Sequence, residues 1–93
     1  MLTLVLTRSA KKALAKCPDF IRDAFYAWAA VVAANGTHYT RTETRFKDEP
    51  LKGERHGQYS VRLNRQWRII YTETHETLTI TILEVTPHDY RTK

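Results

Sequence analysis

Residues 2–7 alternate, with Leu2, Leu4 and Leu6 on one side and Thr3, Val5 and Thr7 on the other, the period-2 pattern of a strand. Residues 8–16 set Ala10, Ala13 and Leu14 among Arg8, Lys11, Lys12 and Lys16, which predicts a short basic amphipathic helix. Pro18 suits the first position of a second helix, with Asp19 and Asp23 near its positive end. Phe20, Ile21, Ala24, Phe25, Trp28, Val31 and Val32 then follow helical spacing, and Asn35-Gly36 is a good stop. The second helix therefore spans 18–35. For Trp28 and the other helix aromatics, core packing is the plain reading.

Residues 37–58 show no clear period and read mostly as a loop, with a short edge strand near 39–46. So long an irregular stretch in a small domain points to function or to a bound partner. Three β-type runs follow, at 59–63, 67–73 and 77–86, rich in Val, Ile, Thr and Tyr. A three-residue connection, Asn64-Arg65-Gln66, pairs Leu63 with Trp67, Val61 with Ile69 and Tyr59 with Tyr71. That register collects the large apolar side chains on one face and sets Arg62 opposite Arg68 on the other. The last run carries Leu78, Ile80 and Ile82 on one face and Thr79, Thr81, Leu83 and Val85 on the other, as a central strand does. The expected class is α+β in the order β-α-α-β-β-β: a small, antiparallel-dominated twisted sheet with two helices on one face and an open, basic face behind.

At 93 residues the chain is one domain, 1–93. Its 42% hydrophobic and 27% charged residues suit a soluble globular fold and argue against disorder. No apolar run approaches the roughly 18 residues of a membrane span. The opening residues are too short for a signal-peptide core. A single cysteine, Cys17, allows no internal disulfide, so a cytoplasmic location is expected. The net charge of +5 favours an anionic partner. Residues 8–16 hold four bases and no acid, and residues 41–68 hold eight bases against four acids, so the positive charge is concentrated. His56, Tyr59, Trp67 and Tyr90 lie among or close to these bases, and aromatics beside phosphate-reading arginines suit RNA. The plainer reading keeps Tyr59 and Trp67 in the core.

Metal chemistry finds little support. His38, His56, His75 and His88 are scattered, and His75-Glu76 lacks the second histidine of a zinc-protease motif. Neither a Cys17 nucleophile nor a Gly-rich phosphate loop is indicated. Two cross-strand arginines repel each other, so a fold that keeps Arg62 and Arg68 together has a use for them. With Lys52, Arg55 and His56 they can bind phosphate and stabilise charge developing on it. A histidine of near-neutral pKa can move a proton. RNA brings its own nucleophile, the 2′-hydroxyl, so no cofactor is required.

The stretch from Asp48 to Tyr71 resembles the RelE/HigB toxins of bacterial toxin–antitoxin systems, part of the RelE/ParE superfamily. The resemblance rests on Leu51-x-Gly53, on Gly57-Gln58-Tyr59-Ser60-Val61-Arg62-Leu63 and on Trp67-Arg68-Ile69-Ile70-Tyr71. The ending His88-Asp89-Tyr90 is similar to a terminal cluster found in part of that superfamily. The resemblance implies a cytoplasmic mRNA-cleaving toxin, commonly acting on the ribosome, with an antitoxin encoded alongside. It implies catalytic roles for Arg62, Arg68, His88, Asp89 and Tyr90. It implies RNA contacts from Lys52, Arg55 and His56, joined by Arg45, Arg65 and Arg91 among the nearby bases. No metal, membrane or small-molecule cofactor is expected. HigB proteins often end Asp-Tyr-His, whereas here Arg91 follows Tyr90, so the general base is either His88 or His56. A ParE-like inhibitor of DNA gyrase and a non-catalytic RNA-binding module are the alternatives.

Overall fold

The computed structural model describes residues 2–76 and 79–88. Strand β1 (Thr3–Leu6) leads into α1 (Arg8–Lys16), α2 (Asp19–Asn35) and α3 (Thr37–Glu43). A two-residue strand β2 (Glu49–Pro50), a 3-10 turn (Gly53–Arg55), β3 (Tyr59–Arg62), β4 (Arg68–Thr74) and β5 (Thr79–Thr86) complete the chain. The five strands form one sheet in the order β1-β5-β4-β3-β2; β1 runs parallel to β5 and the other pairs are antiparallel. The α+β expectation holds, and β5 is indeed internal, with one helix and one short strand more than expected.

Local signals account for the first half. Thr7 caps α1: its Oγ1 accepts from the Ala10 amide (3.1 Å) and donates to the Leu83 carbonyl (3.0 Å), tying the helix start to β5. Thr7→Ala is expected to cost about 1 kcal/mol, read as a lower urea midpoint at unchanged slope. Pro18 is the residue before α2 rather than its first, one position from expectation. Arg22 turns back across the α1–α2 junction and donates to the carbonyls of Leu14, Ala15 and Cys17 (3.0–3.2 Å) at the end of α1, where the helix itself supplies no donors. Cys17 is buried there, and burial raises its thiol pKa.

From α2 the core takes Ile21, Phe25, Trp28 and Val32, a stripe at helical spacing. Phe20, expected in that stripe, is 62% exposed because it lies about 100° round the helix from Ile21. Against the stripe pack Val61, Leu63, Ile69, Tyr71, Ile80 and Ile82 from the sheet. The hairpin register is the one expected, with Tyr59 opposite Tyr71, Val61 opposite Ile69 and Arg62 opposite Arg68.

Two expectations fail for physical reasons. Residues 37–43 form a helix, not a loop or strand. Gly36, at φ +85°, makes the tight turn that separates α3 from α2. The buried side of α3 is made of threonines, Thr37 and Thr40, whose hydroxyls bond to Glu73 Oε1 (2.7 Å) and Asp48 Oδ2 (2.7 Å). A helix buried through hydroxyls carries no apolar period. Strict alternation puts Val85 on the face opposite Ile80 and Ile82, yet it joins the same core. Ile70 pairs with Glu84 and Tyr71 with Ile82, so Leu83 is an extra residue that reverses the alternation. Leu78, assigned to the same strand, lies outside the described residues.

Candidate nucleic-acid site on the open face of the sheet

The bulge at Leu83 decides what stands on the face away from the helices. Cross-strand pairing aligns Glu49, Ser60, Ile70 and Glu84 in one row, and Arg62, Arg68 and Thr86 in the next. His88 follows two residues after Thr86, exposed, with its amide on Thr86 Oγ1 (3.0 Å). The end of β5 thus sets Thr86 beside Arg68, and His88 lies two residues beyond that pairing.

The arginines are not equivalent. Arg62 is exposed, and its backbone N–H donates to the Phe46 carbonyl (3.0 Å). Arg68 is only 5% exposed. Its Nη1 donates to the carbonyls of Asn64 (2.9 Å), Arg65 (3.2 Å) and Trp67 (3.2 Å). The same turn is held from within by Asn64 Oδ1, which accepts from the amides of Gln66 (2.9 Å) and Trp67 (2.7 Å). Carbonyl dipoles around Arg68 relieve the repulsion that the cross-strand pair creates.

The face is partly covered. Ser60 and Ile70 are buried although they point away from the helices, and Leu51 is buried outside the main core. Residues 51–58 account for this. They close as a hairpin through the Leu51 amide on the Gln58 carbonyl (2.9 Å). Arg55 straps them down, donating to Gln58 Oε1 (2.8 Å) and forming an ion pair with Glu84 Oε2 (2.7 Å). Arg55, expected to touch RNA, is therefore engaged by Glu84. Lys52, His56, Arg45 and Arg65 are exposed on the segments around the two arginines, and the Arg45 guanidinium lies over the Phe46 ring at 5.2 Å. Asp89, Tyr90 and Arg91 lie outside the described residues. Among the described residues, no group of three or more His, Cys, Asp or Glu gathers to hold a metal ion.

Tyr59 and Trp67 belong to the core side. Tyr59 stacks on Tyr71 (centroids 5.3 Å apart, planes at 19°), Tyr71 meets Trp28 at 5.3 Å, and the Arg41 guanidinium covers Tyr59 at 4.0 Å.

No protein-family model matches the chain, and no curated protein matches it in sequence. Solved structures do. A YoeB/ParE toxin from Agrobacterium tumefaciens superposes with a TM-score of 0.77 at 18% identity, over 95% of this chain and 100% of that one. The chain has the RelE/ParE toxin fold. A YoeB–YefM complex from Staphylococcus aureus matches with a TM-score of 0.74 at 22% identity, over 96% and 99% of the two chains. The RelBE2 toxin–antitoxin complex from Mycobacterium tuberculosis matches with a TM-score of 0.59 at 27% identity, over 91% and 95%.

Within this RelE/ParE fold, sequence reasoning passed over two acids. Glu49 pairs with Ser60 and so stands on the arginine face. Asp48, its neighbour, is 4% exposed on the opposite side. The available signal was alternation across β2: the residue beside an inward side chain points outward.

Proposed function

We propose that the chain is the toxin of a type II toxin–antitoxin pair, a metal-independent endoribonuclease that cleaves mRNA, on the ribosome, and so arrests translation. The observation that supports this reading is the row of Arg62, Arg68 and Thr86 on the open face, two residues before His88, with the Glu49 carboxylate one row away on the same face. In the reaction a base removes the 2′-hydroxyl proton and the 2′-oxygen attacks the adjacent phosphorus. The 5′-oxygen then leaves with a proton from an acid. Arg62, exposed, is placed to hold the scissile phosphate and the charge that builds on it. Arg68 acts largely by fixing the turn that presents Arg62. Glu49, His56 and His88 are the candidate proton carriers. Lys52, Arg45, Arg65 and Arg91 would hold flanking phosphates, and Asp89 and Tyr90 would complete the terminal cluster. Mapping RNA ends after expression, and in a chelator-containing reaction with and without ribosomes, tests this: new internal ends carrying a 2′,3′-cyclic phosphate support it, and intact RNA overturns it.

The partner reading concerns a different surface. YoeB and RelE proteins of this fold have been solved as complexes with YefM and RelB. Between α1 and α2 lies a groove of about 340 Å³ lined by Leu6, Leu14, Ala15 and Tyr26 and edged by Lys11 and Arg22. An apolar floor with a basic rim fits an acidic amphipathic antitoxin segment, better than residues 37–58, which are a packed helix and a strapped hairpin. Tyr26, 58% exposed, is the anchor to test. Tyr26→Asp is expected to weaken capture by the product of the neighbouring gene about tenfold or more, measured by titration calorimetry, while RNA cleavage is unchanged.

A further inference from the structure

Asp48 is a buried carboxyl that the nuclease chemistry above does not use. Trp28 Nε1 from α2 donates to Oδ1 (3.2 Å) and lies 3.3 Å from Oδ2. Oδ2 also meets Thr40 Oγ1 of α3 (2.7 Å) and the Tyr71 hydroxyl of β4 (2.8 Å). Three elements thus grip one side chain, and that side chain immediately precedes β2. The residue before it, Lys47, adopts φ +47°, a left-handed conformation costly for a side chain with a Cβ. The grip on Asp48 and the Arg62 amide on the Phe46 carbonyl hold that turn from both sides.

We propose that Asp48 is a positioning residue of the open-face site: its core grip fixes the short edge strand β2 in the register that turns Glu49 toward the arginine corner. A two-residue strand has little pairing of its own to set register. The inference rests on the nuclease reading only for its functional consequence.

The one hydroxyl proton of Thr40 has two acceptors in reach, the Thr37 carbonyl (2.9 Å) and Asp48 Oδ2 (2.7 Å). Tyr71 and Trp28 donate to the carboxyl oxygens as well. Burial pushes the Asp48 pKa up, outweighing the bonds from Thr40, Tyr71 and Trp28 and the field of Arg41 that pull it down. The titratable and charged groups facing it are Tyr71 and Arg41. Tyr71 on β4 is pushed up by burial and by Asp48, so it stays protonated. Arg41 on α3 has its own counter-ion, Glu73 on β4 (3.1 Å), and lies over Tyr59 of β3. An acid raised in the folded state binds more protons there than in the unfolded chain. Its contribution to stability is complete below the usual aspartate range and is lost as pH rises through the raised value.

The test compares Asp48→Ala and Asp48→Asn with wild type by hydrogen exchange, melting against pH and steady-state cleavage of a model RNA. Asp48→Ala is expected to lose protection at the Leu51 and Arg62 amides, which pair with Gln58 and Phe46, while the Thr7 amide on Ile82 keeps it. Its kcat should fall roughly a hundredfold with KM little changed, as misplacement by about 1 Å does. Asp48→Asn should restore most of the protection and rate, and should remove the fall in stability with rising pH. Uniform loss of protection in Asp48→Ala would make the role purely structural and overturn the proposal. Unchanged cleavage with a folded Asp48→Ala, or Asp48→Asn as impaired as Asp48→Ala, overturns it equally. If wild type cuts no RNA, the nuclease reading fails, while exchange at Leu51 and Arg62 still decides whether Asp48 sets β2.

Discussion

Arg62→Ala should lose about 10²–10³-fold in RNA cleavage while melting within about 3 °C of wild type. The side chain is exposed at the end of β3, so its removal opens no cavity in the core. Its backbone amide, not its guanidinium, holds the Phe46 carbonyl, so the edge of the sheet stays paired. What disappears is a two-pronged cation where phosphate charge would develop. Arg62→Lys restores the charge without the fork and should recover only part of the rate. The measurement is single-turnover cleavage of a short RNA beside a thermal melt. A large drop in melting temperature would show that Arg62 is a structural residue.

Arg68→Ala should behave differently, losing stability and activity together. Three turn carbonyls between Asn64 and Trp67 lose their donor, and a buried, charge-assisted set of bonds of this kind is worth about 2 kcal/mol. For a domain of this size that is roughly 8–16 °C in melting temperature. Cleavage should fall at least about a hundredfold even at temperatures where the variant is folded, because the slackened turn no longer presents Arg62. Denaturant melts and rates measured well below the midpoint separate the two losses. Wild-type stability with lost activity would place Arg68 on the phosphate directly. Together the variants test whether a pair that looks symmetric in register has one exposed member and one member built into the scaffold.

The hairpin at Tyr59–Tyr71 was legible in the sequence because a three-residue connection is the register that keeps Val61, Leu63, Trp67 and Ile69 together. Strict alternation leaves little freedom once the loop length is set. The stripe Ile21, Phe25, Trp28 and Val32 was legible for the same kind of reason, at the helical period. Alternation broke at Leu83, where one inserted residue exchanges the faces of a strand without changing its composition. Helix α3 was hidden because threonine, a strand-favouring residue, forms its buried side by hydrogen bonding rather than by apolar contact. The candidate site divided along similar lines. Arg62, Lys52 and His88 were found as exposed charged groups near the hairpin. The engagement of Arg55 by Glu84 was not legible, because an ion pair across 29 residues leaves no local mark. Asp48 was missed because an acid beside Lys47 and Glu49 reads as surface.

The parallel pairing of β1 with β5 joins the first strand of the chain to the last, Thr3 beside Thr79. Closing so long a loop makes this a slow contact to form, and β4 has only β3 beside it until residues 79–86 have been synthesised. Arg55 has no Glu84 before then, and Arg68 has no Thr86 beside it. At roughly 5–20 residues per second, translation leaves an interval of seconds in which the nascent chain carries the arginines but no assembled corner. On the nuclease reading, each molecule is inert toward the ribosome that makes it until β5 has been made and has paired with β4.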